Sequence, residues 1–227
     1  MRKRSRRYNK TTEDSNSNGP LALNEAISKI KGWANTKFDQ SVECVILLGI
    51  DARQADQIVR GAISLPHGIG KTLRVIAFCE GDDAAAAKEA GATEVGGDEL
   101  VEKVAGGWLD FDVAVAHPKL MGKVGKLGRV LGPQGKMPSP KNGTVTPKIA
   151  DTVKDYAAGK VDFRNDSGGN VHAVIGKVSF EDKQLEENAN AFMTTIKNMK
   201  PSSVKGTYVK NIYLSATMSP SVELSLT

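Results

Sequence analysis

The sequence predicts an α/β protein of two domains joined by a hinge, one α/β unit inserted in an outer α+β unit, and three observations predict it. Short apolar runs alternate with helical patterns through residues 71–116, as βαβ units around a parallel sheet require. Strand-type runs flank that region, at Ser41–Gly49 before it and at Val171–Phe180 and Thr207–Thr217 after it. Glycine-containing breaks at Pro66–Gly70 and Gly159 separate the two textures, which suits a hinge. The expected division is a flexible basic tail over 1–20, a discontinuous outer domain over 21–67 and 160–227, and an inserted α/β domain over 68–159.

Taken in order, Thr11–Pro20 is polar and rich in Asn and Ser, without the apolar periodicity of an ordered element, so it reads as a flexible leader. Leu23, Ala26, Ile27 and Ile30 recur at helical spacing. The strand at Ser41–Gly49 is closed by Gly49 and Asp51. Arg53–Arg60 reads as a short helix and Gly61–Leu65 as a strand ended by Pro66. In the inserted region Leu73–Phe78 is strand-like, Asp83–Ala90 helical, Thr93–Val95 extended, Asp98–Ala105 helical and Phe111–Ala116 a strand. Pro118–Pro147 then holds five of the nine prolines and six glycines, which is loop chemistry with turns of helix around Lys119–Arg129.

Pro147–Ala158 reads as a helix that starts on a favoured proline and stops at Gly159. Lys160–Asn165 and Val171–Phe180 resemble paired strands around the turn Asp166-Ser167-Gly168-Gly169-Asn170. Leu185, Ala189, Phe192, Met193, Ile196 and Met199 form one apolar stripe, so the Phe and Met side chains of this helix are expected in the core. Pro201 stops the helix, and Thr207–Thr217 is the last strand expected.

Composition narrows the function. No stretch approaches the roughly 18 apolar residues of a membrane span, and the start has no apolar signal core, so a cytoplasmic protein without membrane contact is expected. Cys44 and Cys79 sit singly in apolar runs and read as buried reduced thiols. The net charge is only +5, yet Met1–Lys10 carries Arg2, Lys3, Arg4, Arg6, Arg7 and Lys10 without an acid. A second acid-free stretch, Val113–Ala150, carries Lys119, Lys123, Lys126, Arg129, Lys136, Lys141 and Lys148. Two such stretches against an acidic remainder suggest contact with a polyanion at chosen places.

Catalytic patterns fail on inspection. Gly70-Lys71-Thr72 resembles the end of a phosphate-binding loop, but that motif needs Gly at position 65, where Leu65 stands, and a helix after it, where a strand follows. A nucleotide-binding enzyme built on the inserted domain is therefore the weaker alternative. His67, His117 and His172 lie in separate segments without metal or nucleophile spacing. His67 and His117 adjoin prolines at segment ends, where capping or turn hydrogen bonds are expected. No cofactor is implied.

A binding surface remains. Looped or single-stranded RNA is read by side chains that stack on splayed bases and by Lys or Arg on phosphate. Lys37-Phe38-Asp39, Phe163-Arg164, His172, Gly176-Lys177 and Thr217-Met218-Ser219-Pro220-Ser221 offer these groups, all in the outer domain.

Several motifs resemble a known family: Phe38-Asp39-Gln40-Ser41-Val42-Glu43, Leu65-Pro66-His67-Gly68-Ile69-Gly70-Lys71, Gly107-Trp108-Leu109-Asp110-Phe111-Asp112, Lys126-Leu127-Gly128-Arg129-Val130-Leu131-Gly132-Pro133-Gln134-Gly135-Lys136-Met137-Pro138, Phe163-Arg164-Asn165-Asp166 and Thr217-Met218-Ser219-Pro220-Ser221. Together, in this order, the chain resembles the ribosomal protein L one family in its bacterial form. The resemblance implies a discontinuous RNA-binding domain with a Rossmann-like insertion. It implies binding to large-subunit ribosomal RNA at the mobile lateral stalk, release of deacylated exit-site tRNA, repression of the protein's own mRNA, and a monomer away from the ribosome. It places RNA contact on Lys37, Phe38, Arg164, His172, Lys177, Thr217, Met218 and Ser219. Ser219 stands where the family usually has Gly, and its hydroxyl is offered to the RNA in place of close backbone approach. The Arg-rich start is longer and more basic than the resemblance implies.

Overall fold

The computed structural model describes residues 4–16 and 19–225, and the expectations for Met1, Arg2 and Lys3 lie outside them. Its backbone divides into two compact units, residues 1–70 with 161–227 and residues 71–160. In chain order the first segment gives α1 (Arg6–Asn16), α2 (Leu23–Gly32), β1 (Ser41–Leu48) and β2 (Arg60–Ser64). The second unit gives β3 (Val75–Phe78), α3 (Asp82–Glu89), β4 (Glu94–Gly96), α4 (Asp98–Ala105), β5 (Val113–Ala116), α5 (Met121–Val124), α6 (Gly128–Leu131) and α7 (Ile149–Ala157). The chain then forms β6 (Lys160–Arg164), β7 (Asn170–Lys177), α8 (Asp182–Asn198), β8 (Val209–Ala216) and β9 (Val222–Leu224).

The outer unit is an antiparallel sheet with strand order β7-β1-β8-β9. Strict alternation of burial along β1 explains its stability: Val42, Cys44, Ile46 and Leu48 face the core while Ser41, Glu43, Val45 and Leu47 face outward. Ala26, Ile27 and Ile30 of α2 and Leu185, Ala189, Phe192 and Ile196 of α8 complete the same apolar cluster. Phe192 meets Phe163 edge-on at 5.9 Å. Burial raises the Cys44 thiol to about 12, as a buried reduced cysteine requires.

α8 starts on a capping box, in which the Glu181 side chain accepts from the third helical residue and Gln184 Oε1 accepts from the Glu181 N–H. Its apolar stripe carries one polar residue. Asn188 is fully buried. Its Nδ2 donates to the carbonyls of Gly68 (3.0 Å) and Ile175 (2.7 Å), and its Oδ1 accepts from the His67 N–H. The helix thereby pins the Leu65–Gly70 loop where the outer unit's first segment ends. His67 Nε2 sits 2.6 Å from Oε2 of Glu187, the residue of α8 that precedes Asn188.

The second unit is a parallel sheet of order β4-β3-β5. All four residues of the central β3 are buried, as a sheet covered on both faces demands. Val75 and Ala77 pack with Ala87 of α3 and Ile149, Val153 and Tyr156 of α7. Ile76 and Phe78 pack on the other face with Leu100 and Val104 of α4 and with Leu120, Val124, Leu127 and Leu131. Lys71 Nζ is engaged by Asp112 at 3.1 Å and leads into β3, not into a helix. His117 Nδ1 accepts from the Lys119 N–H and caps the following helical turn, the capping role expected of it.

Five expectations are corrected. The leader is helical over Arg6–Asn16, because Ser5 Oγ accepts from the Tyr8 N–H and polar contacts to Met218, Ser221 and Lys29 hold α1 in place of an apolar stripe. Arg53–Arg60 is not a helix: the Asp51 carboxylate accepts from the Arg53 N–H, and three-residue turns follow at Gln54 and Gln57. Pro147 lies before α7 and not in its first turn. β6 and β7 are not a hairpin. β6 pairs with β2 and β7 with β1, leaving only an Asn165–Val171 bridge between them. Of the two methionines expected in this stripe, Met193 is partly buried against the core, whereas Met199, just past the end of α8, is 36% exposed. The short edge strand β9 carries no signal long enough to predict from sequence.

Candidate functional site

The sheet of the outer unit ends, on one side, where β1 begins and where β7 and β8 finish. Ser41 pairs with Lys177 of β7, and Val42 pairs with Ala216 of β8. The pairing shifts by one residue between Val42 and Glu43, opposite Gly176 and Val174. Gly176 leaves room at this bulge: a Cβ there would stand 2.8 Å from Leu185 Cδ2, so a larger residue would have to push that side chain aside.

Hydrogen bonds lock this end. The Ser41 N–H donates to Thr217 Oγ1 at 3.1 Å and the Thr217 N–H donates to the Ser41 carbonyl at 3.1 Å. Lys177 Nζ donates to Ser41 Oγ at 2.9 Å. The Met218 N–H donates to Gln40 Oε1 at 2.9 Å, and Gln40 Nε2 donates to Thr36 Oγ1. Asp39 accepts from the N–H and hydroxyl of Ser179. The turn that carries Met218 is thus framed from Gln40 and Ser41 at the start of β1, and Lys177 of β7 holds Ser41 in turn.

Two apolar side chains stand out from the frame. Among the described residues the exposed large hydrophobics are Phe38 at 50%, Met218 at 48% and Met199, so two of the three flank this end. An exposed aromatic ring and an exposed thioether beside Lys37 and Lys177 can stack on a planar ligand while the ammonium groups meet its anionic part.

Ser219 closes the turn: its Oγ accepts from the Ala216 N–H at 2.9 Å and its N–H donates to the Ala216 carbonyl. The hydroxyl expected to reach RNA is used inside the protein. No described non-glycine residue has positive φ, so serine carries no backbone strain at this position.

Lys37, Phe38, Lys177, Thr217, Met218 and Ser219 are therefore grouped, whereas Arg164 and His172 are not among them. His172 pairs with Val45, four positions along β1 from Ser41, about 13 Å at strand rise. Its Nε2 lies 3.7 Å from Asp166. Arg164 lines a small hollow with Ala52, Ile58, Asn165, Asp166 and Ser167. The separation follows from the pairing of β6 with β2.

Asp166 organises that second locus. Its carboxylate accepts from the Asn170 side-chain amide and N–H and from the Gly168 N–H, and these bonds hold its pKa below the ordinary 3.8. A depressed folded-state pKa stabilises above the unfolded value and is lost as pH falls through the folded one. The stability difference between the wild type and Asp166→Asn is expected at full size at pH 7, shrinking below about pH 4 in thermal melts.

Gln40 and Ser41 carry the frame yet have no recognisable pattern of their own; only their place in the Phe38–Glu43 motif could have marked them. α1 is the other unexpected neighbour, with Arg7 Nη2 donating to the Met218 carbonyl at 3.4 Å.

Residues 30–220 match the family described as the Ribosomal protein L1p/L10e family. A protein named large ribosomal subunit protein uL1 from a Nocardioides species is 52% identical over 221 residues, covering 97% of this chain and 92% of the relative. The protein of that name from Bacteroides thetaiotaomicron is 53% identical, covering 89% and 88%. The one from Bifidobacterium longum is 50% identical, covering 98% and 96%.

Proposed function

The chain belongs to the ribosomal protein L1p/L10e family, and from that premise we propose that it binds large-subunit ribosomal RNA through the Ser41 end of its outer sheet. Membership makes it a structural protein of the ribosome and not an enzyme. The observation that carries the RNA reading is the exposure of Phe38 and Met218 on a hydrogen-bonded frame between Lys37 and Lys177. Exposed apolar groups held rigid lose little entropy on stacking, and each stacked base contributes roughly 1–3 kcal/mol. Arg164 and His172, with Asp166, form a separate locus that meets a neighbouring part of the same RNA.

The outer unit is the specific reader in this account. Asp151–Thr227 has nine bases and nine acids, so recognition leans on shape and stacking more than on bulk charge. The inserted unit has a different task. Lys119, Lys126, Arg129, Lys141 and Lys148 are exposed in an acid-free stretch and suit the backbone of exit-site tRNA, as the protein moves with the stalk during tRNA release. Repression of the protein's own mRNA follows if that message folds to present the same shape at the Ser41 end.

Sedimentation of a cell extract tests the ribosomal assignment. The chain is expected in the large-subunit fraction and to leave it on nuclease treatment; recovery only at the top of the gradient contradicts the reading.

A further inference from the structure

The start of α1 and the two residues before it form one wall of a cleft of about 390 Å³, lined by Arg4, Ser5, Arg7 and Tyr8, whose other wall is Thr217, Met218 and Ser219. The helix is tied to the rest of the outer unit at both of its ends. Besides the Arg7 bond to Met218, Ser15 Oγ donates to the Ser221 carbonyl at 3.0 Å and Lys29 Nζ of α2 donates to the Asp14 carbonyl at 2.9 Å. Inside the cleft the Arg4 guanidinium lies over the Tyr8 ring, 4.3 Å from its centroid. No acidic residue is among those that line it. Arg6 and Lys10 of the same helix are exposed and do not line it.

Each feature has a chemical consequence. A guanidinium stacked on a phenol is held flat and loses less freedom when its edge donors engage an oxyanion. Two guanidinium groups without a competing carboxylate attract phosphodiester oxygens. The Tyr8 ring and the half-exposed Met218 thioether offer apolar faces to a nucleobase. This combination fits a nucleic-acid backbone with an adjacent unpaired base.

We propose that the cleft between α1 and the Thr217–Ser219 turn is a further RNA subsite, in which Arg4 and Arg7 neutralise backbone phosphates and Tyr8 with Met218 brackets a neighbouring base. The proposal rests on the RNA reading of the Ser41 end and extends it past the sheet to the arginine-rich start, whose role the fold alone leaves open.

The test is binding of the full-length chain to in-vitro-transcribed large-subunit ribosomal RNA, followed by fluorescence anisotropy from 50 to 400 mM KCl. Arg4→Ala with Arg7→Ala is expected to lower the slope of log K against log salt by about 1.4–1.8, and so to weaken binding roughly ten-fold more at 50 mM than at 200 mM. Arg4→Lys with Arg7→Lys keeps the slope. Arg6→Ala with Lys10→Ala changes it by less than half as much, and Phe38→Ala, outside the cleft, weakens binding at every salt with the slope unchanged. A wild-type slope in the Arg4/Arg7 double-alanine variant, with Phe38→Ala still impaired, overturns the subsite and leaves the sheet-end reading intact. Equal losses from Arg6 and Lys10 overturn it in favour of a diffuse basic tail, and tighter binding without Arg4 and Arg7 overturns it in favour of a covering helix. Loss with the Arg4/Arg7 pair but none with Phe38→Ala supports the cleft and overturns the sheet end. Failure of the wild type to bind overturns both.

Discussion

Replacing Phe38 and Met218 together by alanine is expected to weaken ribosomal RNA binding by about 2–6 kcal/mol, since each lost base contact costs roughly 1–3 kcal/mol. The fold should survive. Both side chains are half-exposed and outside the apolar core, and surface truncations of this kind stay within about 0.5 kcal/mol in urea titrations. Thr217→Val acts differently. Thr217 Oγ1 accepts from the Ser41 N–H at an exposed site, so its loss hands that donor to water, costs about 1 kcal/mol of stability and loosens the turn that presents Met218. Added to Met218→Ala, it therefore lowers affinity through geometry more than through a contact of its own. Affinity unchanged in the Phe38/Met218 double variant, with an intact urea midpoint, removes these side chains from the interface.

The largest effect on folding is expected from Asn188→Leu. Leucine matches the apolar stripe of α8 and fills the volume, yet it leaves the carbonyls of Gly68 and Ile175 without the donors that Asn188 Nδ2 supplies. Buried unpaired groups cost roughly 1–3 kcal/mol each, so a loss of about 3–5 kcal/mol in urea unfolding is expected. The consequence is local as well. The Leu65–Gly70 loop loses its anchor on α8, and hydrogen exchange should rise first at His67 and Gly68. Slow exchange there, in a variant as stable as the wild type, contradicts a pinning role for Asn188.

These two residues show what sequence reasoning can and cannot reach. Met218 was legible because a motif surrounds it and because its strand, β8, has a long strand-type run to end on. Asn188 was not, since a polar residue within an apolar helical stripe reads as a solvent position until its partners, Gly68 and Ile175, are brought beside it by tertiary folding. The same distinction runs through the fold. The α8 stripe and the alternating strands and helices around β3 are local patterns, and they predict their elements within a few residues. α1 lacks an apolar face and is held by Ser221 and Lys29 far along the chain, so no window of sequence reveals it. The expected β6–β7 hairpin fails for a related reason. Asp166 folds the turn onto itself by accepting from Gly168 and Asn170, while Asn165 is drawn to Val59 through its N–H and its Oδ1, and the two strands diverge into different sheets. That divergence is what carries Arg164 away from the Ser41 end.

The central claim is that RNA lies against the Ser41 end of the outer sheet. Ultraviolet cross-linking of the protein on its large subunit, with the linked peptides mapped by mass spectrometry, tests it most directly. The account predicts nucleotide adducts on Phe38 and Met218, with weaker adducts near His172; adducts confined to the inserted unit, with none between Thr36 and Ser41 or between Thr217 and Ser219, contradict it.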